Sequence, residues 1–170
     1  MMKRLPMLSL SFVLALACLA GASSAFADEY NWTGSGFNRN WNNPQNWFNV
    51  DTASINGFPD DDTDEAIILA AVAKRPLITA NVTVGRITLE NAAAAIDLEG
   101  SVGINLTLDG SNFAADPSLI DGTIHFTAGG GQGRLITADN AEITLSATGV
   151  IQLDARIGAG DQPVAILQDD

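Results

Sequence analysis

The chain has 170 residues, 8 of them basic and 20 acidic, for a formal net charge of −12. That charge repels nucleic acid and anionic lipid headgroups, so polyanion binding is excluded unless a bound cation bridges the two. An apolar content of 46% supports a packed core rather than a disordered chain, and the length fits one domain.

Taken in chain order, the first segment reads as a leader. Lys3 and Arg4 precede the apolar run LPMLSLSFVLALACLAGA, and Ala25-Phe26-Ala27 fits a small-x-small cleavage site. Residues 1–27 are expected to be a signal peptide, with the mature chain starting at Asp28. The run is short for a spanning helix, so no membrane span is expected after cleavage. Cleavage removes two basic residues and no acidic one, which takes the net charge to −14 (6 − 20). It also removes Cys18, the only cysteine, and with it disulfide and thiol chemistry. Lipidation at Cys18 would need a better apolar residue than Ala15 three places before it. A cysteine-free exported chain fits a bacterial periplasm, cell surface or medium better than a small disulfide-stapled domain. Three Asn-x-Thr matches, at Asn31, Asn81 and Asn105, are of a kind common by chance in an Asn- and Thr-rich chain.

Residues 28–65 hold seven of the nine aromatics outside the leader: Tyr30, Trp32, Phe37, Trp41, Trp47, Phe48 and Phe58. Two roles compete for them. Trp32, Trp41 and Trp47 are candidate stacking platforms for a glycan. Alternatively, the rings plug the end of a larger structure, where they supply much apolar area per residue. The segment closes on PDDDTDEA, in which Asp60, Asp62 and Asp64 are candidate calcium ligands, since clustered carboxylates suit that ion. The order departs from a calcium hand, lacking the required glycine and distal Glu. The alternative is a solvated acidic turn in which one Asp caps the following strand.

From Ala66 to Asp170 the signal is period two. In SVGINLTLDG, Val102, Ile104, Leu106 and Leu108 share one face. Apolar pairs recur at Ile67/Leu69, Ile87/Leu89, Leu106/Leu108, Ile124/Phe126, Ile143/Leu145 and Val164/Ile166, in steps of 20, 19, 18, 19 and 21 residues. Turn signals such as Asp109-Gly110 and Gly129-Gly130 follow them. One such unit cannot bury its own apolar pair, but stacked units can. The expected fold is all-β: a parallel β-helix (β-solenoid) of about six short coils over residues 66–170, with an aromatic-rich N-terminal cap at 28–65. A β-sandwich also has short strands and frequent turns, but not a near-constant step. An end coil exposes strand edges and apolar side chains, so terminal units must act as caps.

The stretch NWTGSGFNRNWNNPQNW…GFPDDDTDEAIIL resembles the N-terminal region of bacterial autotransporter-type and related extracellular β-helix proteins. Trp32-Thr33-Gly34, Trp41, Asn46-Trp47, Pro59 and Asp64 stand at the matching motif positions, and ITANVTVGRITLENAAAAIDLEG resembles the first coils of those proteins. The resemblance covers roughly residues 30–110 and implies adhesion, surface display or a scaffold. The chain departs from that group in lacking a membrane β-barrel or sorting signal after VAILQDD.

Signatures of chemistry are weaker. His125, the only histidine, lies between Ile124 and Phe126 and is expected to face outward. GGGQGRL at 129–135 resembles part of a calcium-binding nonapeptide, but Leu135 replaces the Asp ligand, and a turn between strands fits better. No Ser/His/Asp set, metal cluster or catalytic carboxylate pair with a basic partner can be read along the chain. The expected function is an exported, non-enzymatic surface, adhesive or matrix component, or the N-terminal part of a longer passenger. The alternatives are a carbohydrate-binding module using the tryptophans, and a remnant of a polysaccharide-degrading β-helix enzyme. The expected partners are further coils or a second copy at the C-terminal end, and glycans.

Overall fold

The computed structural model describes residues 27–69, 74–99, 103–113, 116–127, 133–138, 141–153 and 165–169. The expected signal peptide lies outside them apart from Ala27, as do residues 129–132 of the glycine-rich segment and Val164. Among the described residues no helix is long and apolar enough to cross a membrane.

The architecture is mostly β, and the described residues form fourteen short strands: β1 (Glu29–Trp32), β2 (Trp47–Asn49), β3 (Glu65–Ile68), β4 (Leu77–Ile78), β5 (Val82–Val84), β6 (Arg86–Leu89), β7 (Ala95–Leu98), β8 (Asn105–Asp109), β9 (Ser118–Ile120), β10 (Thr123–Phe126), β11 (Gly133–Ala138), β12 (Ile143–Leu145), β13 (Val150–Leu153) and β14 (Ala165–Asp169). From β3 onward the chain visits three sheets in rotation. The first sheet has the order β12-β9-β6-β3-β1-β2, the second β13-β10-β7-β4 and the third β14-β11-β8-β5. Among the described residues every strand pair is parallel except β1 with β2.

Alternation within each strand sorts side chains into a core and an outer face. Ile68, Leu89 and Ile120 are register neighbours in the first sheet, and all three are fully buried. Leu98 and Phe126 form the same kind of ladder in the second sheet, and Leu106 and Leu135 in the third. Each rung adds apolar contacts about 4.8 Å from the last, so burial accumulates along the stack rather than within one strand. Truncating any one of these residues to Ala is expected to cost about 2–5 kcal/mol.

Two features of the expected repeat are corrected. First, the recurring apolar pairs do not line one sheet: Ile87/Leu89 and Ile143/Leu145 belong to the first sheet, Ile124/Phe126 to the second and Leu106/Leu108 to the third. From β3 to β14 the chain makes four rounds of three strands, not six. Second, the pair Ile67/Leu69 is out of phase. Ala66 and Ile68 point into the core, while Leu69 is 45% exposed. EAIIL is apolar on both phases, and β3 takes the phase that aligns Ile68 with Leu89.

The residues expected to form a cap are hydrogen-bonded into the first sheet. β1 pairs in parallel with β3 and antiparallel with β2, so β2 is the edge strand at that end. At the corner between the first and second sheets, Gly122 and Gly149 allow close stacking of backbones. A Cβ at Gly122 would lie 2.2 Å from the carbonyl oxygen of Ala94, and one at Gly149 would lie 1.9 Å from that of Ile120. Only a residue without a side chain fits there.

Candidate functional site

The three tryptophans form one buried cluster. Trp32, Trp41 and Trp47 are 4%, 1% and 0% exposed, which leaves no ring face open for a sugar to stack on. Trp47 is central, with edge-on contacts to Trp32 and Trp41 at centroid distances of 4.9 and 4.7 Å. Each indole N–H donates to a backbone carbonyl: Trp32 to Lys74 (2.8 Å), Trp41 to Pro59 (2.8 Å) and Trp47 to Trp41 (2.6 Å). These bonds tie the segment to loops 18 to 42 residues away as well as to itself, and they satisfy donors that would be costly to bury unpaired.

The asparagines between the tryptophans complete that packing. The side chain of Asn43 accepts from Gln45 N and caps a 3-10 turn at Pro44–Asn46. Asn46, fully buried, accepts from Gly36 N (2.8 Å) and donates to the Asn40 carbonyl (2.9 Å). The local chemistry is that of an irregular loop whose backbone groups are satisfied by amide side chains.

The acidic turn brings together Asp60, Asp61 and Asp64, with one carboxylate oxygen of each within 4.8 Å of the others. Asp62, expected among the ligands, is directed elsewhere: its carboxylate and carbonyl face the side-chain amide of Asn112 at 3.3 and 3.2 Å. Asp61 takes the place that sequence order had given to Asp62. Asp64 is buried, and its Oδ2 accepts from Asp60 N at 2.9 Å and Asp61 N at 3.4 Å. Burial raises its pKa to about 6, against the lowering effect of those N–H groups. Calcium takes six to eight oxygens, and the carboxylate that would anchor it already closes the turn.

On the outer face of the second sheet the structure assembles a cluster that sequence reading did not find. Asp97 is buried, and it accepts a bond from Arg39 and lies 3.1 Å from His125 Nδ1. His125 faces outward between the buried Ile124 and Phe126, as its neighbours implied. Its register neighbours are Asp97 and Gln152. An Asp can orient an imidazole for proton transfer, but acyl transfer also needs a nucleophile within reach.

A second outward cluster lies on the first sheet. Glu65 pairs with Arg86, which is its register neighbour, and accepts from Thr88 Oγ1 at 2.9 Å. Arg86 also approaches Asp116 (3.6 Å) and sits 5.2 Å above the Phe113 ring centroid. Glu29 adjoins Glu65 on the neighbouring strand. Burial, with the like charges of Glu65 and Asp51, raises the Glu29 pKa. Glu29, Glu65, Arg86 and Thr88 border a groove of about 550 Å³ whose walls also include Ile67, Glu90 and Leu119. Period two in EAIIL and RITLEN could have revealed this face, but only after the sheet partners were known.

Comparison with known proteins finds no matching family model, no matching curated protein and no matching solved structure.

Proposed function

We propose that the chain is an exported, non-enzymatic parallel β-helix, or β-solenoid, with a structural or adhesive role at a bacterial surface or in its matrix. The observation that carries this reading is the rotation of strands from β3 onward through three sheets whose successive members pair in parallel, with buried indoles packed beside the first strands. In such a fold each sheet is one side of a tube, and the Trp-rich segment is its N-terminal cap. A rod of this kind presents long, regular outer faces and depends on stacking for its stability. That suits display or scaffolding and asks for no catalytic group.

The leader-like N-terminus, the acidic surface and the absence of cysteine after residue 18 support export. The resemblance of residues 30–110 to autotransporter-type N-terminal regions supports the surface assignment. On this reading the chain is either a short secreted relative or the cap and first coils of a longer passenger. β12, β13 and β14 stand at the far edges of their sheets, where further coils or a second copy would add strands.

The test is the mass and location of the native product in its own cells. A species beginning at Asp28 and found outside the inner membrane is expected, either alone or within a larger surface protein. A full-length cytoplasmic product with an intact leader would overturn the reading.

A further inference from the structure

We propose that Asn56 is a site of spontaneous self-modification: the backbone nitrogen of Gly57 displaces its side-chain amide, and the residue becomes aspartate or isoaspartate. Asn56-Gly57 is the one Asn-Gly pair in the chain. It lies in the bend after Ser54, outside any strand, with Asn56 exposed and Ile55 54% exposed. Among the described residues neither the Asn56 side chain nor the Gly57 N–H makes a hydrogen bond. The electrophilic amide carbon and the nucleophilic nitrogen are therefore both free, and no side chain on Gly57 hinders their approach. The step balances with water alone. Gly57 N gives its proton to solvent base and bonds to Asn56 Cγ, the Cγ–Nδ2 bond breaks, and the amide nitrogen leaves as ammonia. Water then opens the five-membered succinimide. Attack at the former Cγ gives aspartate. Attack at the main-chain carbonyl gives isoaspartate, whose backbone runs through the former side chain and is one atom longer.

Two Asp-Gly pairs have the same cyclisation open to them, and the fold holds both back. Asp109 Oδ1 accepts from Ser111 N (3.0 Å) and from the Ser111 hydroxyl, and Gly110 is buried. Asp121 Oδ1 accepts from the hydroxyls of Ser146 and Thr148, and Gly122 is buried in the corner where a Cβ would meet the Ala94 carbonyl. Asn56 has no such restraint. Its conversion bears on the N-terminal segment, because the residues that follow are anchored. A Cβ at Gly57 would lie 3.0 Å from the Tyr30 hydroxyl, Phe58 packs against the core, and the Pro59 carbonyl accepts from the Trp41 indole at 2.8 Å. Isoaspartate adds a backbone atom, and either product adds a negative charge, just before that run.

The experiment holds the purified protein in mildly alkaline buffer, native and in urea, and follows the three sites by peptide mass mapping with isoaspartate detection. Folding is expected to slow the reaction at Asn56 by less than about threefold, and at Asp109 and Asp121 by at least about tenfold. Asn56→Gln, whose longer side chain needs a six-membered ring, should lose the mass gain at this peptide and leave the two Asp-Gly sites as they were. Circular dichroism confirms that the variant is folded. A native protein that stays unmodified at Asn56, or slowing there beyond about threefold, overturns the proposal. So does protection at Asp109 and Asp121 no greater than at Asn56, or a mass gain that persists in Asn56→Gln.

Discussion

Asp64 shows what a single carboxylate contributes here. Its Oδ2 gathers the N–H groups of Asp60 and Asp61, while its carbonyl accepts from Gly85 and Arg86 at 3.0 and 3.2 Å, so it joins the acidic turn to β6. The side chain does this while buried, and its pKa rises from 3.8 to about 6. A pKa raised in the fold means that the native state holds the proton more tightly than the unfolded chain. The stabilisation is therefore fully present below pH 3.8 and is lost as pH rises through about 6. Denaturant unfolding followed between pH 4 and pH 7 should show stability falling by on the order of 2 kcal/mol. Asp64→Asn keeps an acceptor for the turn and carries no charge, so its profile should be flatter over the same range. An equally steep fall in that variant would assign the pH dependence to other groups. Asp121 moves the opposite way. Hydrogen bonds from Ser146 and Thr148 lower its pKa, so it favours the fold above the unfolded value and the effect is lost on acidification.

At the scale of strands and turns, two substitutions probe how the sheets are held together. Gly122→Ala places a methyl 2.2 Å from the Ala94 carbonyl oxygen, a backbone atom that itself accepts from Thr123 N (2.9 Å). Neither group can move without breaking the corner, and a loss of about 2 kcal/mol or more in thermal unfolding is expected. Trp47→Phe removes the donor to the Trp41 carbonyl and leaves space between Trp32 and Trp41. The cost should be about 2–4 kcal/mol, read from denaturant midpoints. A smaller effect than in an exposed control such as Phe37→Ala, at a residue 84% exposed, would remove Trp47 from the centre of the packing.

Element identity was legible in the sequence wherever alternation was clean. NLTLD became β8, and TIHF became β10 with His125 outward. Phase was not legible in EAII, because both faces are apolar and only the partner strand decides between them. Sheet membership was hidden as well, since strands of similar composition serve all three sheets and a recurrence of about nineteen residues mixes them. Asp97 and His125 are 28 residues apart in sequence and adjacent only in register, so that contact has no local signature.

For the whole molecule, the described residues place different features at the two ends of the strand stack. At the N-terminal side β2 runs antiparallel to β1, and the indoles pack inside, so intrinsic tryptophan emission should be blue-shifted and resist iodide quenching. Glycan addition should leave it unchanged. A red-shifted spectrum that responds to a glycan would return the rings to a binding role. At the opposite side β12, β13 and β14 are terminal in the three sheets among the described residues. Unpaired edges of this kind recruit strands, from the continuing chain or from another copy. For a protein of residues 28–170, sedimentation should therefore show association that rises with concentration. Leu145, 49% exposed on β12 beside Ile120, lies at that edge. Leu145→Lys adds a charge where a new strand would dock, and should shift the equilibrium toward monomer about tenfold. Since the substitution lies far from the tryptophan cluster, emission should stay blue-shifted in the monomer. Association that survives Leu145→Lys would place the contact elsewhere, and the exposed Phe48 and Val50 of the N-terminal hairpin would be the next residues to change.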